Sequence, residues 1–302
     1  MHVRSLLTKA RRRLPGGVER TAKAVVSAWG TLTAETRMLP HFIVVGAQRS
    51  GTTTLFRVLN DHPDIVRPTA SKGIGYFEVN YGKGWRWYRG HFPVRWLAKL
   101  RTHGHAVTYE SSGYYLFHPL AAERIARDLP GVRIVVMVRD PVERAYSAHR
   151  HELRRGYETE DFEAALALEP ERLAGEEDRI RADPATDRYE HRHHAYLGRS
   201  RYAGQVQRFV DALGPERVHL VDADRFFSEP AAELVPLFEW LGLSSWLPAE
   251  VEQWNAQPRE PMAPELREAL AARFADSDAA LAVLMGREPS WVAARRSTGE
   301  KG

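Results

Sequence analysis

Cysteine is absent from the 302 residues, which excludes disulfide frameworks, thiolate nucleophiles and zinc sites built on thiolates. Long apolar runs are absent as well, and nothing approaches the roughly 20 residues that span a bilayer. The chain opens with Arg4, Lys9, Arg11, Arg12 and Arg13 but lacks the apolar stretch of about 7–15 residues that a secretion signal needs. Residues 1–40 therefore read as a basic, partly helical N-terminal extension, solvated or in weak contact with a membrane surface or polyanion. The expected compartment is the cytoplasm. Net charge is small: 43 Lys and Arg against 39 Asp and Glu leave +4, too little to argue for nucleic acid yet compatible with anionic ligands. What remains, 43% hydrophobic and 27% charged residues, is the composition of an ordinary globular protein.

Three segments read as strands buried on both faces: His41-Phe-Ile-Val-Val-Gly46, Val132–Val138 and Val218–Asp222. Each is a short apolar run rich in β-branched residues. Amphipathic helical stretches lie between them, at Thr52–Asn60, Pro119–Leu129, Val142–Arg155 and Tyr202–Leu213. Charge and helix formers over residues 156–190 predict helices around a peripheral loop. Alternation of this kind predicts an α/β fold with a central parallel sheet flanked by helices in three layers. The expected organisation is one domain over 41–292 and a polar, frayed tail over 293–302.

Ligands in such sheets sit at the carboxyl ends of the strands, and two motifs fall there. Gly46-Ala-Gln-Arg-Ser-Gly51-Thr52-Thr53 follows a strand and opens a helix, so its backbone N–H groups can wrap an anion at the positive end of the helix dipole. The spacing is that of a nucleotide P-loop, but Thr52 stands where the triphosphate motif has its lysine, and the cation is Arg49 inside the loop. The second motif is Arg139-Asp140-Pro141, followed by Ser147 two helical turns on. There a guanidinium and a hydroxyl can converge on one phosphate. Taken alone, Arg139-Asp140 could equally be a local ion pair capping a helix.

The first motif, with Leu55 closing it, resembles the 5′-phosphosulfate loop of sulfotransferases that use 3′-phosphoadenosine 5′-phosphosulfate (PAPS), in particular the heparan sulfate N- and 3-O-sulfotransferase branch and its bacterial relatives. Ile134 to Ser147 resembles the 3′-phosphate motif of the same family. A third stretch, Tyr196-Leu-Gly-Arg-Ser-Arg-Tyr202, is similar to a Gly-x-Tyr segment, with Ser200 in the glycine place. The resemblance covers roughly residues 40–245 and implies a P-loop-like fold. It also implies PAPS as co-substrate, 3′,5′-bisphosphoadenosine as product, and no need for metal. The donor-binding residues it implies are Gln48, Arg49, Ser50, Gly51, Thr52, Thr53, Thr54, Arg139, Ser147, Arg201 and Tyr202. The acceptor it implies is a hydroxyl or amine of a glycan, glycolipid or small hydroxylated metabolite, with no nucleic acid partner.

Arg49 and the loop amides suit charge stabilisation on the leaving oxygen. The base is harder to assign. The family's Lys-Glu-x-x-Phe-Phe-type segment matches Ser71-Lys72-Gly73-Ile-Gly75-Tyr-Phe-Glu78, but Gly73 stands in the glutamate place and Gly75 where a histidine is common. Glu78 falls where relatives have an aspartate, and Glu110 matches their Glu-Lys-Thr/Ser segment. The catalytic candidates are thus Arg49, Glu110, Glu78 and Lys72, with Glu110 placed slightly ahead of Glu78. Tyr76, Phe77, Tyr81, Trp85, Trp87 and Tyr88 form either core packing or a sugar-stacking platform. His191, His193 and His194 lack the spacing of a metal site. Two other functions compete: a P-loop kinase or hydrolase, and a PAPS- or glycan-binding module without catalysis, which Gly73 keeps open.

Overall fold

The structure, a computed structural model, describes residues 16–68, 73–102, 104–251 and 261–299. Four strands, β1 (Phe42–Gly46), β2 (Tyr109–Ser111), β3 (Arg133–Val138) and β4 (Val218–Asp222), form one sheet in the order β2-β1-β3-β4. Every pairing is parallel: Ile43 lies opposite Glu110 on one side and Ile134 on the other, and Val138 lies opposite Asp222. The helices are α1 (Gly16–Leu32), α2 (Thr52–Asp61), α3 (Trp85–Arg89), α4 (Arg95–Arg101), α5 (Ala121–Asp128), α6 (Pro141–Arg155), α7 (Phe162–Leu173), α8 (Glu176–Ala182), α9 (Tyr189–His193), α10 (Tyr202–Leu213), α11 (Ala223–Ser228), α12 (Pro230–Leu241), α13 (Pro264–Met285) and α14 (Ser290–Gly299).

Strand side chains alternate between two cores, which makes the three layers. Ile43, Val45, Ile134, Val136 and Val138 face Ile125 of α5, Val206 and Phe209 of α10 and Leu281 of α13. Phe42, Val44, Val135, Met137 and Val221 face Leu55 and Leu59 of α2 and Leu234, Leu237 and Phe238 of α12. Because both faces are covered, the strands read as unbroken apolar runs rather than as alternating patterns. The expected three-layer α/β fold with a central parallel sheet is the fold observed. The aromatic cluster is core: Tyr76 stacks on Tyr88 at 4.6 Å, and Phe77, Tyr88 and Phe92 are fully buried.

Among the described residues, the segments near both ends pack on the domain. From Gly16 onward the N-terminal segment is a helix docked on α3, with Gly30 so close to Gly90 that a Cβ on Gly30 would lie 2.5 Å from the Gly90 carbonyl oxygen. Arg37 then donates to the Phe92 carbonyl at 2.6 Å. At the other end α14 runs across the expected boundary at residue 292 instead of fraying. Its Arg295 donates to Asp140 Oδ1 at 2.7 Å and to Asp278 Oδ2 at 3.2 Å.

Candidate functional site

After β1 the chain passes to β2 on one side and only then to β3 on the other. The sheet therefore has its switch point between β1 and β3, where parallel sheets leave a crevice beyond the strand ends. Both motifs fill that crevice. The Ala47 amide donates to the Met137 carbonyl at 2.7 Å, tying the β1 loop to β3. Arg49 holds φ at 72°, the left-handed region, and is alone in this among the described non-glycine residues. Gly51, at φ 88°, is the N-cap of α2. A side chain there would be strained, and its Cβ would sit 2.9 Å from the Phe227 ring. The loop therefore ends on the positive pole of a ten-residue helix.

Asp140 caps α6 by accepting from the Val142 amide at 2.9 Å, with Pro141 where a missing N–H costs nothing. One face of α6 then carries Ser147, Arg150, His151 and Arg154 into the cleft, as a helical repeat of three to four residues dictates. The two motifs meet directly: Arg49 Nε donates to Ser147 Oγ at 3.2 Å, across 98 residues of sequence.

The resulting cleft holds about 740 Å3. Gln48, Arg49, Gly51, Thr52, Thr53, Arg139, Ser147 and Glu78 line it. Ser50, Thr54 and Tyr202 are buried beneath, with Tyr202 packed against Ser50 and the backbone of Arg139. Arg201 is exposed and lies off the cleft. Lys72 lies outside the described residues. Burial, followed by the guanidiniums of Arg154 and Arg139, holds Arg49 below its ordinary pKa. Arginines crowded this closely repel one another, and Glu78 is the one carboxylate among the described lining residues. Such a donor set fits a multiply charged anion.

The two candidate carboxylates occupy different environments. Glu110 is wholly buried in β2 and accepts from Tyr115 Oη at 2.6 Å, Ser112 Oγ at 2.7 Å and Tyr88 Oη at 2.8 Å. It does not reach the cleft. Glu78 does, and Arg192 Nη2 stands 3.3 Å from its Oε2. Burial pushes the Glu78 carboxyl up to about 7, against the pull of Arg192 and with the help of the like charge on Glu110. Its position depends on a glycine. A Cβ on Gly75 would lie 2.5 Å from Glu78 Oε1, so the carboxylate occupies room that any side chain at 75 would take.

Sequence reasoning missed the far wall of the cleft. Arg192, from α9, and Arg199 both lie over the Tyr114 ring, at 4.8 and 5.0 Å from its centre. Arg199 is pushed down to about 10 by burial and then by Arg144. Arg150 and Arg154 stand three and seven residues after Ser147, a signal that helical spacing could have supplied. Arg192 arrives from a distant helix and carries no such signal, while Arg199 sits in the 3-10 turn Gly198–Ser200, inside the stretch Tyr196–Tyr202 in which the sequence reading marks only Arg201 and Tyr202. The three histidines disperse: His191 bonds Tyr114 Oη at 2.6 Å, His193 pairs with Glu152 at 2.9 Å, and His194 contacts Glu190 and the Tyr157 carbonyl. Among the described residues no three His, Asp or Glu converge as a metal-holding group.

A family model described as "Sulfotransferase domain" matches residues 39–258. The chain belongs to the sulfotransferase family. The crystal structure of a sulfotransferase from Alicyclobacillus acidocaldarius is 30% identical, with a TM-score of 0.58 over 83% of this chain and 97% of that one. Heparan sulfate glucosamine 3-O-sulfotransferase 5 of Homo sapiens is 29% identical over 221 residues, 72% of this chain and 57% of that protein. Bifunctional heparan sulfate N-deacetylase/N-sulfotransferase 1 of Caenorhabditis briggsae is 25% identical over 218 residues, 70% of this chain and 24% of that protein. This sulfotransferase-family chain thus spans little more than half of the first relative and a quarter of the second.

Proposed function

We propose that this protein transfers a sulfuryl group from PAPS to a hydroxyl or amine of a glycan acceptor, with Glu78 as the general base. The observation that carries the proposal is the Arg49–Ser147 hydrogen bond, which unites the loop suited to a 5′-phosphosulfate and the Arg139/Ser147 pair suited to a 3′-phosphate in one cationic cleft. The glycan acceptor is supported by the names of the two heparan sulfate relatives, which are enzymes of heparan sulfate sulfation.

In this reading the α2 N-terminus and the loop amides hold the 5′-phosphosulfate, while Arg139 and Ser147 hold the ribose 3′-phosphate. Arg49 stabilises charge on the phosphate oxygen that leaves sulfur. Glu78 accepts the acceptor's proton as the acceptor–sulfur bond forms and the sulfur–oxygen bond to phosphate breaks. The family segment that this chain resembles has a glutamate in the place of Gly73. Glu78 is supported as its substitute because it faces the cleft and titrates near neutrality. Glu110, sealed behind three hydroxyls, supports the wall instead.

Calorimetry with 3′,5′-bisphosphoadenosine and transfer of labelled sulfate from PAPS to a panel of glycans test the proposal. Binding independent of magnesium and labelling of a glycan are expected. Magnesium-dependent ATP turnover without affinity for bisphosphoadenosine would overturn it in favour of a kinase or hydrolase. Donor binding with no acceptor ever labelled would leave a binding module.

A further inference from the structure

A second feature lies at the opposite end of the sheet. α4 has an inverted pattern: the small Ala98 is its buried residue at 1% exposure, while Trp96 and Leu100 are 60% and 71% exposed and Leu97 stands out beside them. Burying alanine and exposing tryptophan and leucine gains almost nothing in the folded monomer, since the large side chains forgo the stabilisation that burial would bring. α1 repeats the pattern, with Val25, Val26, Trp29 and Leu32 exposed. The two helices flank one segment: α1 packs on Gly90, Met38 donates to the Pro93 carbonyl at 2.9 Å, and Arg37 bridges Val94 at the start of α4.

The surroundings of α4 are cationic. A cavity of about 740 Å3 at the amino ends of β1 and β3 is lined by His41, Arg95, Lys99, Arg133 and Arg217. Glu216 is the carboxylate on its rim, paired with Arg217 at 3.6 Å. Arg101 closes α4. A second copy of this chain on the face would set like charges against one another. A polyanionic chain would answer the charges but leave the tryptophans and leucines uncovered. An anionic bilayer surface meets both requirements, with indole and leucine side chains at headgroup depth and lysine and arginine above them.

We propose that α4, with the exposed face of α1 and the basic cavity beside it, docks this protein onto an anionic lipid bilayer. The surface lies at the amino ends of the strands and the cleft at their carboxyl ends, so docking leaves the cleft uncovered. The proposal is independent of the acceptor and of the identity of the base.

Co-sedimentation of the full chain with vesicles of phosphatidylcholine alone, or containing phosphatidylserine, tests it. Sedimentation with phosphatidylserine vesicles only, weakening as salt rises, is expected. Exchanging two cations, Arg95→Gln with Lys99→Gln, is expected to weaken binding more than about tenfold, since each cation near such a surface contributes roughly a fivefold factor. Trp96→Ser with Leu100→Ser is expected to weaken it by about tenfold or more through lost apolar insertion. Both double variants are expected to keep the parent's affinity for bisphosphoadenosine, which shows that they are folded. Equal sedimentation with both vesicle types, or none, overturns the proposal, as does parent-like binding by either double variant. A dimer in size-exclusion chromatography that Trp96→Ser with Leu100→Ser dissociates would assign the face to a second copy and overturn it too. So would binding of a heparin fragment that Arg95→Gln with Lys99→Gln abolishes while vesicles do not sediment the parent.

Discussion

Arg49 links the two motifs through Ser147, and in the proposed function it also stabilises the leaving group. Arg49→Ala is expected to lower kcat about 10²–10³-fold, the usual effect of removing one preorganised donor, with the melting temperature nearly unchanged. In the proposed function Glu78 sets the pH dependence. Only its unprotonated form can take a proton, so turnover is expected to rise with pH through about 7 and level off above. Glu78→Gln is expected to flatten that profile and to cost about 10²–10⁴ in rate. The same group affects stability with the opposite sign. Its folded pKa lies above the ordinary 4.5, so its contribution is most favourable below pH 4.5 and is lost as pH rises through about 7. Thermal melts of the parent and of Glu78→Gln are expected to diverge over that window. Gly75→Ala is expected to reproduce the kinetic loss by displacing the carboxylate, and a parent-like pH profile in that variant would argue against Glu78. At this scale the residues that the two motifs bring to the cleft were readable because loop, strand end and helix face have fixed offsets. Which carboxylate reaches the cleft was not: Glu78 and Glu110 look alike in sequence, and only the fold separates them.

Among the elements, α14 and α1 hold the domain from its two ends. Arg295 satisfies Asp140, the cap of α6, and Asp278, whose carboxyl burial pushes up to about 6. Arg295→Ala leaves both carboxylates short of a partner. It is expected to cost about 1–3 kcal/mol in chemical denaturation and to weaken bisphosphoadenosine binding, because α6 carries Ser147 and follows directly on Arg139. The contact of α1 with α3 has no spare room, so Gly30→Ala is expected to destabilise the chain by about 1–3 kcal/mol, visible as a lower melting temperature. The main strands and helices were legible from apolar runs and helical periodicity. β2 was not, since three residues, Tyr109-Glu-Ser111, carry a charge in the middle and offer no apolar run. The strand exists because parallel pairing with β1 and three hydroxyl donors to Glu110 satisfy its groups. The packing of the two terminal helices was not legible for a related reason: basic, polar segments pair with partners 55 residues away at Arg37 and 155 away at Arg295, which local pattern cannot reveal.

For the molecule as a whole, charge is distributed far less evenly than a net +4 suggests. Arginines concentrate on the walls of the cleft at one end of the sheet, and cations surround α4 at the other. Affinity for bisphosphoadenosine is therefore expected to fall several-fold between about 50 and 500 mM salt, as screening shortens the reach of the cleft's field, and calorimetry across that range checks it. A flat response would mean that hydrogen bonds and stacking alone hold the nucleotide. The sequence pointed to an anionic ligand, but it could not show that two cationic regions face opposite ways, because that follows from strand direction. The strut formed by Arg295 also has a consequence for synthesis. It joins Asp140 from 155 residues downstream, so a polypeptide growing on the ribosome carries both loops of the cleft long before the strut that steadies the second of them.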